Sequence, residues 1–231
     1  MLSVVIPTLN AEKTLTRTLN CLIDATVQGL VREVIVADGG STDKTEEIAD
    51  AAGCHFIAGP RGRGTQLAAG ARAARADWLL FLHADTVLTP GWEDELRKWF
   101  EHVERGRWKD GEVAAAFRFA LDDFSGKARF MEKMVALRCA LFRLPFGDQG
   151  LVISKAYYKK LGGFKELPLM EDVDLVRRIG RSRLVLLRSQ AVTSPERYVR
   201  SGFFLRALRN LGLLSLYYLR VPPRVLARLY G

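Results

Sequence analysis

Three unbroken apolar runs, LSVVIP at 2–7, EVIVA at 33–37 and WLLFL at 78–82, each stop on polar loop residues. A strand whose neighbouring side chains are all apolar has both faces covered, so such runs belong in a sheet sandwiched between helices. The segments between them have helical character. Leu15, Leu19, Leu22 and Ile23 recur at helical spacing after Asn10, a candidate cap, and Ser41 or Thr42 can cap a helix reaching about Ala52. A short strand at 54–57, an Ala-rich helix at 64–75 and a helix carrying Trp92, Leu96, Trp99 and Phe100 continue the alternation. The first hundred residues therefore read as parallel α/β.

Beyond residue 110 the rhythm changes to a strand at 113–120, a helix at 125–141, a loop at 145–150 and a strand at 150–153. Helices at 155–161 and 171–180 follow, and the tail, 201–230, reads as helical with a break at Pro222-Pro223. With 231 residues, 48% of them hydrophobic, the chain can bury one sizeable core but not two full domains. One domain with an appendage is expected. The three cysteines, Cys21, Cys54 and Cys139, are odd in number and lack metal-type spacing, which points to a reducing, cytoplasmic setting. The start MLSVVIPTLN has no basic stretch or cleavage site and reads as a strand, so no removed signal is expected.

Net charge is +9, but from Leu175 onward there are twelve arginines, no lysine and one acid, Glu196. The basic character is confined to the C-terminal part. Nucleic acid is excluded as a partner because these arginines lie among aliphatic residues, without a recognised binding motif.

In open parallel sheets ligands bind beyond the carboxyl ends of the strands. Polar clusters follow four successive strands: Pro7-Thr8-Leu9-Asn10, Asp38-Gly39-Gly40-Ser41, Gly59-Pro60-Arg61-Gly62-Arg63-Gly64 and His83-Ala84-Asp85. One shared cleft is the simplest reading. Singly, Asp38 to Asp43 also suits a turn and a capped helix, GPRGRG lacks the dinucleotide fingerprint, and His83 also suits a structural hydrogen bond. Asp85, directly after a buried strand, incurs a desolvation cost that a divalent cation or several donors would offset. Hard oxygen ligation favours Mg²⁺ or Mn²⁺ bridged to a diphosphate. A second acidic focus, Glu171-Asp172-Val173-Asp174, opens the helix expected at 171–180. Acids suit a helix N-terminus, yet one of them facing the cleft would serve as a general base.

Together these stretches resemble the family 2 glycosyltransferases of the GT-A fold: SVVIPTLNAEKTL and EVIVADGGSTDKT as the nucleotide loops, HAD in place of the metal-binding D-x-D, and LGGFKELPLMEDVDL as the acceptor-side segment. The resemblance covers residues 2–180. It implies an α/β fold with a mostly parallel central sheet and C-terminal helices, and a division into a catalytic region 1–198 (nucleotide-sugar half 1–110, acceptor-side half 111–198) and a basic tail, 199–231. It further implies that Pro7, Thr8, Asn10, Glu12, Asp38 and Gly39 line the nucleotide-sugar pocket, with Arg61, Arg63 and Gly64 closing over it and His83 and Ala84 beside it. Asp85 would hold the metal, with His83 as a second candidate ligand. Asp172 would be the base, and Gly147, Asp148, Gln149 and Glu171 would lie on the acceptor or donor-sugar side. FLHADT, FGDQG, ELPLMEDV and VPPRVLARLY are similar to a narrower bacterial group labelled arsenosugar-biosynthesis glycosyltransferases, which implies a small acceptor.

The implied reaction is an inverting, metal-assisted transfer from a UDP- or GDP-linked sugar to a hydroxyl; the alternative is a non-catalytic nucleotide-sugar-binding protein. The tail has no apolar run long enough to span a bilayer. It either packs on the domain or a second copy, or lies on anionic lipid at the inner face of the membrane and presents the site to a lipid acceptor.

Overall fold

The computed structural model describes residues 1–106, 108, 110–196 and 202–230, and for 203–207 the backbone course alone. Eight strands form one sheet: β1 (Leu2–Thr8), β2 (Val31–Asp38), β3 (His55–Ala58), β4 (Trp78–Phe81), β5 (Thr86–Leu88), β6 (Ala114–Leu121), β7 (Leu151–Ser154) and β8 (Leu184–Thr193). Their order is β3-β2-β1-β4-β7-β6-β8-β5. The first four are mutually parallel, β7 is antiparallel to both neighbours, β6 and β8 are parallel, and β5 closes the edge antiparallel to β8. After β3 the chain crosses to the other side of β1 to lay down β4, so the winding reverses there. That reversal opens a crevice at the strands' carboxyl ends.

The helices are α1 (Leu15–Asn20), α2 (Ile23–Val27), α3 (Thr45–Ala51), α4 (Arg63–Ala73), α5 (Trp92–Arg105), α6 (Gly126–Phe142), α7 (Lys155–Lys160), α8 (Glu171–Ile179), α9 (Phe203–Tyr218) and α10 (Pro223–Tyr230). Strand side chains alternate between faces, and the two cores follow that period. Val4, Ile6, Leu80 and Leu82 pack with Leu15, Leu19, Trp92, Leu96 and Trp99 on one face. Val5, Leu79 and Phe81 pack with Leu67, Ala71, Tyr158, Val173 and Val176 on the other. The both-face burial read from the apolar runs is what the sheet provides. α4 lies directly on β1: a Cβ added to Gly70 would come within 2.3 Å of Val5 Cγ1. The tail joins the second core through Leu213 and Leu226, while the boundary expected at 198/199 lies outside the described residues.

Several local expectations are corrected. The helix expected through Ile23 breaks into α1 and α2 at Cys21-Leu22, leaving Ile23 exposed. Asn10 is not a helix cap. It sits in the left-handed region at φ 53°, and its Oδ1 accepts from the Thr42 N–H at 2.9 Å. Likewise α3 starts at Thr45 rather than after Ser41 or Thr42, with Asp43 Oδ1 accepting from the Thr45 N–H at 3.1 Å. Strands β5 and β8 have no counterpart in the sequence reading. The polar Arg188-Ser189-Gln190 in the middle of β8 disguises it; Glu95 of α5 accepts the Arg188 and Ser189 N–H groups at 2.7 and 2.8 Å, where β8 bulges and shifts register against β6.

Candidate active site

Two adjoining cavities lie at the carboxyl ends of β1, β4 and β8. The larger, about 480 Å³, is lined by Pro7, Thr8, Asn10, Arg61, Arg63, His83, Ala84 and Asp85 among others. The smaller, about 110 Å³, is lined by Gly147, Asp148, Asp172, Phe146, Met170 and, from the tail, Leu213 and Tyr230. They share Arg63, His83, Asp85 and Ser194. The larger volume falls within the range of small-molecule sites.

The wall of the larger cavity is stitched from inside the protein. Asp38 is buried at the end of β2. It accepts from Thr8 Oγ1 at 2.7 Å, from the Gly40 and Ser41 N–H groups at 2.8 and 2.7 Å, and from Ser41 Oγ at 2.5 Å. Burial pushes its carboxyl up, but the bonds from Ser41, Thr8 and Gly40 outweigh that and hold it below the usual range. With four donors its acceptor capacity is filled, so Asp38 and the adjacent Gly39 act behind the wall rather than on its surface. Glu12 Oε2 accepts from the Lys44 N–H at 3.2 Å and the Glu12 N–H donates to Asp43 at 3.0 Å, tying the first loop to the second. Gln66, which sequence reasoning passed over, donates to the carbonyls of Thr8 at 2.6 Å and Ala37 at 2.8 Å and so clamps β1 to β2. Its signal was faint: one amide inside an Ala-rich helix.

The HAD turn is anchored by Thr18 of α1, whose Oγ1 donates to the Ala84 carbonyl at 3.0 Å. Across it, the Ser194 N–H donates to the Asp85 carbonyl at 3.1 Å. Thr18 and Ser194 also escaped the sequence reading, because neither belongs to a cluster along the chain.

In the smaller cavity, Asp172 Oδ2 accepts from the Gly147 N–H at 2.7 Å and Oδ1 from the Val173 N–H at 2.8 Å. Gly147 allows this approach. A Cβ there would lie 2.9 Å from His83 Nε2 and 3.3 Å from Asp172 Oδ2, so both groups crowd its Cα. Asp148 follows, with Oδ1 buried and unpartnered. Its desolvation, reinforced by Asp172 and Asp85 against the pull of Arg138 and Arg63, raises its pKa to about 6. Met170, just before α8, is in the left-handed region at φ 66°, a conformation costly for a side chain with a Cβ and one that collects at functional sites.

Two expected site residues turn inward. Gln149 is buried: its Oε1 accepts from Arg138 Nη2 at 3.2 Å and Cys139 Sγ at 3.3 Å, and its Nε2 donates to the Phe117 carbonyl at 2.9 Å. Glu171 is buried against Arg63 in an ion pair. Burial opposes charge on Arg63, but Glu171, backed by Asp172 and Asp148, raises its pKa and keeps it protonated. Adjacent positions at the start of α8 point about 100° apart, so one acid lines the cavity and the other locks the loop. Gly64 is also a packing residue: a Cβ there would meet the Lys165 carbonyl at 2.5 Å.

Among the described residues no three His, Cys, Asp or Glu side chains are grouped closely enough to cage a metal. Asp85 and His83, which line both cavities, with the unpartnered oxygen of Asp148 in the smaller one, instead suit a cation that keeps most of its ligands from phosphate and water, as Mg²⁺ and Mn²⁺ do at phosphate sites. The residues present fit such an ion.

Residues 3–107 match the family model described as Glycosyl transferase family 2. Glucosyl-3-phosphoglycerate synthase of Mycolicibacterium paratuberculosis is 36% identical in an alignment of 95 residues covering 37% of this chain and 29% of that protein. The chain thus spans less than a third of the curated relatives it matches. The crystal structure of the Mycobacterium tuberculosis enzyme with Mn²⁺, uridine diphosphate and glucosyl-3-phosphoglycerate superposes with a TM-score of 0.55 at 23% identity, covering 84% of this chain and 70% of that one. For S. aureus TarS 1–349 the TM-score is 0.62 at 19% identity, with 90% and 63% covered. Superposed on these structures over most of its length, the chain has a GT-A fold, and its amino-terminal residues 3–107 match the glycosyl transferase family 2 model.

Proposed function

We propose that this protein is an inverting glycosyltransferase that moves a sugar from a nucleoside diphosphate to an acceptor hydroxyl. The observation that carries the reading is the meeting of two cavities at Arg63, His83 and Asp85, with Asp172 in the smaller one. Thr8, Asn10 and Arg61 border the space for the nucleotide, and Asp85 and Arg63 stand where the diphosphate would lie. Asp172, oriented by the Gly147 N–H, takes the proton of the acceptor hydroxyl as its oxygen bonds to the anomeric carbon and the bond to the diphosphate breaks. Asp85, with His83 as a second ligand, would hold Mn²⁺ or Mg²⁺ on the diphosphate, where a cation supplies stabilisation of the negative charge on the leaving group. Uridine diphosphate is the favoured nucleotide, because the mycobacterial structure holds it together with Mn²⁺.

The acceptor reading departs from that relative, one of whose structures holds phosphoglyceric acid. Among the described residues, the smaller cavity brings Asp85, Asp148 and Asp172 together with one arginine, Arg63, already paired to Glu171. Phe146, Leu169, Met170, Val173, Leu213 and Tyr230 add apolar surface, and His83, Gly147, Thr193, Ser194 and Asn210 supply the rest of the described lining. Like charges disfavour an anion in such a space. An uncharged hydroxyl-bearing end, entering a cavity of about 110 Å³, suits it better.

Thermal-shift measurements with nucleotide-sugars, with and without Mn²⁺, test the donor; stabilisation by a UDP-sugar that grows with Mn²⁺ is expected. Donor turnover in Asp172→Asn and Asp85→Ala tests the chemistry. Near-parental rates in both variants would sink the proposal.

A further inference from the structure

Twelve of the sixteen large hydrophobic side chains exposed among the described residues fall in just two stretches, 124–142 and 208–229. Those stretches are α6 with its leading turn and the tail helices α9 and α10, and α9 packs against α6. On α6, Phe130, Met134, Leu137 and Leu141 recur at spacings of four, three and four, which lines them along one face. Each is about half exposed, on the side opposite Met131, Val135 and Cys139, which hold the helix to the sheet. The tail repeats this division. Leu213 and Leu226 are buried in the core while Leu208, Leu211, Leu219, Val225 and Leu229 remain exposed.

The charge around this apolar face has one sign. The stretch 126–143 carries Lys127, Arg129, Lys133, Arg138 and Arg143 against Glu132 alone, and 203–230 carries five arginines and no acid. Glu132 is already engaged, pairing with Arg129 and accepting from the Leu121 N–H at 2.9 Å. A second copy docking through the same patch would set cation against cation with no acids to answer them, since a two-fold interface is self-complementary. An anionic lipid surface answers both features, taking up the apolar side chains and neutralising the cations. No described helix is long and apolar enough to cross a membrane.

We infer that α6, α9 and α10 form one docking face for the surface of an anionic membrane, on which the protein lies without crossing it. Asn210, Leu213 and Tyr230 of the same tail helices border the smaller cavity. The face therefore adjoins the space assigned above to the acceptor, and in this respect the inference rests on that assignment: the class of acceptor delivered there is a lipid with an uncharged hydroxyl end. Lipid binding itself is independent of it.

Flotation of the full chain with vesicles of phosphatidylcholine alone, or with about 30% phosphatidylglycerol, tests the face. Capture by the anionic vesicles is expected, roughly tenfold stronger than by neutral ones and falling as salt is raised. The exposed double variant Leu137→Glu/Leu141→Glu should lose capture while keeping the parental thermal shift with UDP and Mn²⁺. Arg224→Gln/Arg228→Gln should weaken capture severalfold. Equal capture of parent and Leu137→Glu/Leu141→Glu overturns the inference. So does absence of capture with a concentration-dependent dimer, seen by sedimentation velocity, that the same pair of substitutions dissolves. Failure of the donor reading would show instead as the lack of any nucleotide-sugar shift, with vesicle capture unchanged.

Discussion

Asp38 and Asp148 are aspartates with buried carboxylate oxygens on opposite sides of the same cleft, and they are held in opposite ways. Asp38 accepts from four donors supplied by its own loop and by β1, and its pKa is lowered. Asp148 keeps a buried oxygen without a partner beside Asp85 and Asp172, and its pKa is raised to about 6. The wall of the larger cavity is finished before any ligand arrives, whereas the smaller cavity keeps an unmet polar demand. A buried carboxylate without partners is costly, and a cost of this kind concentrates where a ligand is to be bound.

The sharpest way to break this contrast is at the base. Asp172→Asn should lower transfer by about 10²- to 10⁴-fold, the usual contribution of a general base, with UDP binding unchanged by calorimetry. Gly147→Ala should come next. The added methyl would push His83 and Asp172 apart, and a displacement of about 1 Å costs on the order of 10² in rate. Unlike a substitution on the wall of the larger cavity, it should leave UDP affinity measured without metal intact, since His83 enters the proposed site as a metal ligand; a parallel loss of metal-free UDP binding would refute the division between the two cavities.

Stability provides finer tests. Glu171→Ala removes the buried carboxylate that pairs with the partly exposed Arg63 and should cost about 1–3 kcal/mol, read as a lowered denaturation midpoint. Asp38→Asn should destabilise by roughly 1–3 kcal/mol at neutral pH through lost charge-assisted bonds. Because the folded pKa of Asp38 is depressed, its contribution is present above the unfolded value and fades as pH falls through the folded one. Asp148 has the reverse sign. Its protonated form is favoured by folding, so stability is full below the unfolded pKa of 3.8 and lost as pH rises through about 6. Asp148→Asn should therefore stabilise the metal-free protein above pH 6 by up to about 3 kcal/mol and make no difference below pH 4. Denaturant titrations across this range would show the two aspartates crossing over, and parallel pH profiles would erase the distinction.

Legibility in the sequence follows the same divide. Each donor-side cluster stands immediately after its strand, so Thr8, Asn10, His83 and Asp85 could be placed from local order alone. Even so, Asp38 and Glu12 turned out to support the wall through bonds to Thr8, Ser41 and Lys44, which a linear reading cannot separate from ligand contact. Gln149 and Glu171 sit one residue from Asp148 and Asp172, and only their packing sends them inward. Strand β8 was hidden by Arg188-Ser189-Gln190, whose polarity is answered by Glu95 more than ninety positions away.

The sequence by itself determined the parallel α/β character of the first hundred residues, the covered strands and the polar clusters at their ends, because periodicity and burial are local along the chain. Tertiary structure decided which member of the Asp148–Gln149 and Glu171–Asp172 pairs faces the cleft, brought Thr18, Gln66 and Ser194 to the loops they anchor, and laid α9 against α6 so that two half-buried helices share one apolar face. Those outcomes depend on contacts between distant segments, and such contacts leave no period in the sequence.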